Sequence, residues 1–334
     1  SLTACGGVKD ANTASGSAIT IGTTDKITSV DPAGSYDNGS YAVQIQIFPF
    51  LYAQDYNTSE LSPDIAADDG TWNDDGTEFT VKIKEGLKFA NGHDLTASDV
   101  KFSYDRIKTI NDANGPSSLL ANVESVEAPD DTTVVFKDSV PFDVTLKQVM
   151  SSPAGPIVDE EVFDADKLTD ADTIVKGNAF AGPYKLTAFK MNETASYEKN
   201  DSYKGLTPAK NDAIQVKYFA DASNLKLNVQ QGQIDVAFRS LTPTDIEDLS
   251  KDSKVKVVKG PGGEERFLTF NFKIQPYGES QSDADANKAK AVRQAVANLI
   301  DRDELSEKVY KGTYTPMYSF IPDGLSGHDD TLKA

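Results

Sequence analysis

The chain is poor in the residues that build metal and redox centres. Its 334 residues hold one cysteine, Cys5, one tryptophan, Trp72, and two histidines, His93 and His328. One cysteine closes no disulfide within the chain and leaves the redox compartment open. Two histidines far apart in the chain and a cysteine five residues in do not make a zinc site, so no metal and no cofactor is expected. Clustered positive charge is also missing. With 33 Lys+Arg against 52 Asp+Glu the net charge is −19, and no basic run exists to meet a phosphate backbone, which excludes a nucleic-acid partner. Nor does any segment approach the 18 consecutive apolar residues of a membrane-spanning helix.

Catalytic signatures are absent as well. There is no GxGxxG, no P-loop and no GxSxG. The Asp-rich loop at 68–78 has an EF-hand look, but with Gly76 in sixth place the first and twelfth positions fall on Thr71 and Lys82. Carboxylate pairs are so frequent in an acidic chain that none is informative. These absences weigh against an enzyme, although a glycosidase would carry no obvious motif either.

What is present begins with "SLTACGG" and a run of small and polar residues to position 17, too poor in apolar surface to fold and read as a tether. Order is expected from the strand "AITIGT". The stretch "SYAVQIQIFPFLYAQD" is apolar, helical or extended; periodicity does not settle which. In "TEFTVKIK", Phe79, Val81 and Ile83 alternate with polar residues, a half-buried strand, preceded by an Asp75-Gly76 turn and by Trp72, which should pack on the sheet. "LTASDVKFSYDRI" is a helix with Thr96 and Asp99 as a capping box. "TTVVFK", "YKLTAF", "ASYEKN", "AIQVKYF" and "ERFLTFNF" read as strands, and residues 159–176 as an acidic helical stretch. A helix capped by Asp221 closes at Gly232. Two helices end the chain, the first with the apolar stripe Ala291, Val292, Ala295, Val296 and Leu299. Asp303 caps the second, with Leu305 and Val309 inward. The mixture lacks a regular βαβ beat, so α/β or α+β with more than one sheet is expected.

Several of these stretches, in order, resemble the family 5 extracellular solute-binding proteins, the dipeptide and oligopeptide receptors of ABC importers. "PDIAADDGTWNDDGTEFTVKIKEGLKFANGHDLTASDVKFSYDRI" is similar to that family's signature region. "SVDPA", "AGPYKLTAFKMNETASYEKNDSYKG", "QQGQIDVAF" and "AVRQAVANLIDRDELSEKVYKGTYTPMYSFIPDG" match four further segments, in register over 19–327. The resemblance implies an α/β periplasmic-binding-protein fold (type II, cluster C), a two-lobe clamp with an extra subdomain in lobe I. Residues 18–47 and 178–262 would form the main part of lobe I, 48–177 the extra subdomain, and 263–334 the hinge crossover and the start of an incomplete lobe II. Family members are considerably longer, so the Ala291–Leu299 stripe is expected to lack part of its cover.

Leu2-Thr3-Ala4-Cys5 resembles a bacterial lipobox, with residues 1–4 as signal-peptide remnant and Cys5 as the lipidation site. The implied protein is a monomer on the outer face of a bacterial membrane, at the cell surface or in the periplasm. It would be a binding protein, not an enzyme, delivering peptides to ABC permease subunits. The alternatives are an oligosaccharide or another small solute in the same fold or, in other classes, a cell-surface hydrolase or adhesin. Nickel chelates are disfavoured by the histidine count. By matching, the candidate ligand residues are Ser29, Val30 and Asp31 in the "TSVDP" loop, Tyr41 as an aromatic wall, and Ser152, Pro153 and Ala154 at a cleft edge. Arg239 at a strand end could meet a ligand carboxylate, and Glu264, Arg266 and Asn271 lie at the hinge. Each has a structural alternative: turn, core packing, connector, surface charge, or a mutual Glu264–Arg266 ion pair.

Overall fold

The computed structural model describes residues 18–55, 60–260, 262–325 and 327–333; the expected tether, with Cys5, lies outside them. The chain divides after Ser240 into two compact units.

The first unit contains, in order, β1 (Ala18–Thr23), α1 (Asn38–Ile47), β2 (Tyr52–Gln54), β3 (Leu61–Pro63), β4 (Thr71–Trp72), β5 (Glu78–Lys82), α2 (Ala97–Ile110), β6 (Val123–Asp130), β7 (Thr133–Asp138), α3 (Leu146–Met150), α4 (Ala171–Lys176), β8 (Tyr184–Lys190), β9 (Thr194–Lys199), β10 (Ala213–Tyr218), α5 (Ala222–Gln230) and β11 (Val236–Ala237). The apolar stretch left open by its pattern is thus a helix followed by an edge strand. Its helical part starts where the Asp37 carboxylate accepts from Ser40 N.

Two larger sheets organise this unit, beside the short antiparallel pair β2-β3. One runs β11-β1-β10-β9-β8, with β1 parallel to both β10 and β11 and the rest antiparallel. The other, β4-β5-β7-β6, is antiparallel throughout. In the second, Phe79, Val81 and Ile83 point into the core as their alternation predicts, and Trp72 lies 5.0 Å from the Phe79 ring. α2 packs on β6 and β7, its Tyr104 edge-on to Phe136 at 5.1 Å. Thr96 and Asp99 close the expected capping box at its start. A second core gathers α1, α4, β8 and β9 around Phe48, Phe180 and Tyr197. Gly22 lets β1 pass close beneath α5: a Cβ there would stand 2.6 Å from Ile234 and 2.8 Å from Leu225.

The second unit holds α6 (Pro243–Ser250), α7 (Ala286–Leu299) and α8 (Arg302–Glu304), which runs into a π-turn at Leu305–Val309. Several expectations are corrected. "ERFLTFNF" forms no strand: a strand exists only against a partner, and none of the described segments pairs with it. Phe267, Leu268 and Phe272 stand exposed there. Of residues 159–176, only Ala171–Lys176 is helical, capped by Asp170. Asp301, not Asp303, caps α8, accepting from Glu304 N, while Asp303 lies in the first turn. Leu305 and Val309 are exposed, not inward. The α7 stripe is open as expected, with Leu299 85% exposed.

Candidate functional site

Three parallel strands of the first sheet end together. Phe219 N donates to Thr23 O at 2.8 Å and Phe238 N to Gly22 O at 2.9 Å, so the residues following β1, β10 and β11 share one edge. Ligands of open α/β sheets gather outside the carboxyl ends of strands. At that edge Arg239 Nε stands 3.4 Å from Asp25 Oδ1, the arginine half-exposed and the aspartate mostly sheltered. Burial pushes the Tyr218 phenol up, and the Asp25 charge adds to the shift, so Tyr218 stays a neutral hydroxyl beside the pair. Arg239 and Ser240 both adopt left-handed backbone, φ +47° and +66°. Two successive non-glycine residues in that region are uncommon, and such strain is held only where the surroundings demand it. The edge therefore brings a half-exposed cation, a sheltered anion and a phenol together.

The "TSVDP" loop lies deeper. The Asp31 carboxylate is fully buried and accepts from Arg106 Nη1 at 2.7 Å, Arg106 Nη2 at 2.9 Å, Ala33 N at 2.9 Å and Thr169 N at 2.8 Å. Arg106 also donates to the carbonyls of Asp164 and Lys167 and lies over the Phe163 ring at 5.3 Å. This carboxylate thus has structural partners throughout, as its turn reading anticipated. Val30 is buried, and Ser29 is tied to α1 through Ser40 Oγ and Gln44 Nε2.

Tyr41 donates its hydroxyl to Ser151 O and sets its ring edge-on to Phe50 at 6.2 Å. That bond brings Tyr41 beside the 151–154 turn. There Ser152 Oγ donates to Val149 O and accepts from Ala154 N, Pro153 is half-buried and Ala154 buried. In the second unit Glu264 and Arg266 form the ion pair held open as their alternative, at 2.6 Å, with Arg266 over the Tyr314 ring. Asn271 Oδ1 accepts from Lys273 N at 3.0 Å, a local turn bond. A groove in this unit is lined by Glu247, Lys251, Asp303, Glu307 and Lys311, where Glu247 pairs with Lys311 at 3.0 Å.

Sequence reasoning names Arg239 as a candidate and passes over its neighbours Asp25 and Tyr218. The available signal was position: both lie at or just past a strand's carboxyl end. It also passed over a His93–Asp159–Glu161 group, because only histidines and cysteines were counted.

Residues 60–334 match the profile of the bacterial extracellular solute-binding proteins, family 5, middle part. The chain belongs to this family. It is 26% identical over 317 residues to the probable D,D-dipeptide-binding periplasmic protein DdpA of Escherichia coli K12, covering 94% of this chain and 58% of that protein. It is 28% identical over 275 residues to the dipeptide-binding protein DppE of Bacillus subtilis 168, covering 76% of this chain and 47% of that one. The solved structure of the periplasmic binding protein DppA from Helicobacter pylori, in complex with the peptide STSA, superposes with a TM-score of 0.71 at 20% identity, over 95% of this chain and 62% of that one. The chain thus spans about half the length of the curated relatives it matches. These are binding proteins, not enzymes, and the α/β periplasmic-binding-protein fold is shared. No helix among the described residues is long and apolar enough to cross a membrane.

Proposed function

We propose that this family 5 chain is the solute-capturing component of an ABC importer and that its solutes are peptides. The observation that carries the reading is the Arg239–Asp25 pair at the shared carboxyl ends of three parallel strands. A peptide terminus or acidic side chain supplies a carboxylate for Arg239, and its amino group an ammonium for Asp25. Relatives named for dipeptides agree with this choice over oligosaccharides or other solutes. Tyr41 and the Ser152–Ala154 turn form a second candidate wall on the same unit, whereas Ser29, Val30 and Asp31 serve chiefly to hold it. Glu264, Arg266 and Asn271 keep a candidate role in a second lobe.

The domain assignment follows the family: residues 18–47 and 178–262 as the main part of lobe I, 48–177 as its extra subdomain, and 263–334 as crossover and start of lobe II. Closure on a solute would shift a population between open and closed forms, the closed one being read by the permease subunits. Cys5 would carry the lipid that holds a monomer at the outer face of a bacterial membrane.

Native mass spectrometry of the protein as its gene encodes it, against mixed peptides, oligosaccharides and metal chelates, tests the ligand class. Retention of peptides, weakened by Arg239→Ala, is the expected result; retention of sugars alone overturns it. Cys5→Ala should release the protein from membranes, and unchanged retention sinks the anchor.

A further inference from the structure

Outside the strand-end site, the loop before α2 meets the loop that follows residue 158. Asn91 and His93 come from the first; Asp159 and Glu161 come from the second. The Asp159 carboxylate is 1% exposed and is committed on both oxygens. Its Oδ1 accepts from Glu161 N at 2.9 Å, and its Oδ2 accepts from Asn91 Nδ2 at 2.8 Å and faces His93 Nδ1 at 2.7 Å. An acceptor-only carboxylate at that distance places the proton on Nδ1. Nε2 then carries the lone pair and points away from Asp159. Its near neighbour is Glu161 Oε2 at 3.7 Å, too long for a hydrogen bond. The ring is about one-third exposed and the glutamate more so, which leaves the gap open to solvent.

We propose that His93 Nε2 and Glu161 bind a divalent transition cation, with Zn²⁺ the best fit, and that Asp159 positions the imidazole without touching the metal. The chemistry is that of metal-bound histidines generally, whose second ring nitrogen donates to a carboxylate that fixes the tautomer and raises ligand basicity. The spacing agrees. Two ligand atoms ~2.1 Å from one tetrahedral zinc stand about 3.4 Å apart, so a shift of a few tenths of an ångström closes the site. An imidazole ligand selects zinc, nickel or copper over calcium and magnesium, which prefer oxygen. Two protein ligands, completed by water, make an exchangeable site that clips the 159–161 loop to the loop preceding α2.

The test is calorimetric titration of the full chain with ZnCl₂ in a Cys5→Ser background, which removes its one thiol. His328 is the necessary control, since its Nδ1 and Nε2 face Ile321 O and Asp330 Oδ1 at 2.7 and 2.9 Å. One equivalent of zinc is expected, with affinity falling at least about tenfold in His93→Gln and less in Glu161→Gln, unchanged in His328→Gln, and with no heat from CaCl₂. Ring ¹⁵N shifts supply a second readout, with zinc moving His93 Nε2 and not Nδ1. Equal affinity in His93→Gln, or equal losses in both histidine variants, overturns the site, as does a zinc-induced shift on Nδ1.

Discussion

The two units use similar residues to different ends. In the first, nearly every apolar segment has a partner: three sheets, two cores, and helices laid against them. In the second, none of the described residues forms a strand, and Phe267, Leu268, Phe272, Ile274, Leu299 and Phe320 face outward. The helix α7 shows that local quality is not the cause. Asp285 caps it well, accepting from two backbone amides, and its apolar stripe is regular. A helix gains most of its stability from burying that stripe, not from propensity, so a good helix without a facing surface stays marginal. Tertiary partners, not composition, separate the units.

Hydrogen exchange puts the largest difference within reach. Amides of β1, β5, β7, β9 and β10 should exchange only through opening of the first unit, whereas those of 265–310 should exchange orders of magnitude faster. Equal protection would break the comparison. The next largest effect is expected at Asp31. Removing it as Asp31→Ala strands the Arg106 guanidinium in the core, a change that costs about 3–5 kcal/mol in comparable buried pairs. Denaturant unfolding of the first unit should register the whole loss. A change below about 1 kcal/mol would mean that the Asp164 and Lys167 carbonyls suffice to hold the arginine.

Legibility in the sequence followed the range of the interaction. The alternation in β5, the Thr96–Asp99 box and the Gly232 stop are encoded within a few residues, and each stands in the structure where the pattern places it. Interactions between distant segments were not legible. β1 meets β11 across a separation of about 215 residues, so Asp25 and Arg239 could not be paired by inspection. His93 and Asp159 lie 66 residues apart. "ERFLTFNF" has the composition of a strand but lacks the neighbour that would make it one. Asp301 and Asp303 offer equal chemistry two residues apart, and only backbone geometry chooses Asp301 as the cap.

Asp99 links the comparison to pH. Burial, reinforced by the neighbouring Glu160 and Asp159 charges, pushes its carboxyl up to about 7, against bonds from Thr96 N and Glu160 N that oppose the rise. The folded value lies above the unfolded one, so between about pH 4 and 7 the native state holds a proton that the unfolded chain has lost. Stability of the first unit should therefore fall as pH rises through that window and level off above it. Asp99→Asn keeps an oxygen for Thr96 N and should flatten the decline. An unchanged slope in unfolding experiments at pH 4.5 and 7.5 would assign the dependence to other groups.

The smallest effect is the most direct contrast between the units. Thr96→Ala removes the hydroxyl that caps α2, a helix packed on two strands, and should cost about 1 kcal/mol of global stability. Asp301→Ala removes the carboxylate that caps α8 by accepting from Glu304 N at 2.9 Å. That helix is continued only by an exposed π-turn, so losing the cap should leave the cooperative unfolding midpoint unmoved while speeding exchange at Glu304 and Leu305. If both variants shifted the midpoint equally, the second unit would be as tightly coupled to its own fold as the first, and the exposed apolar side chains would need a different explanation.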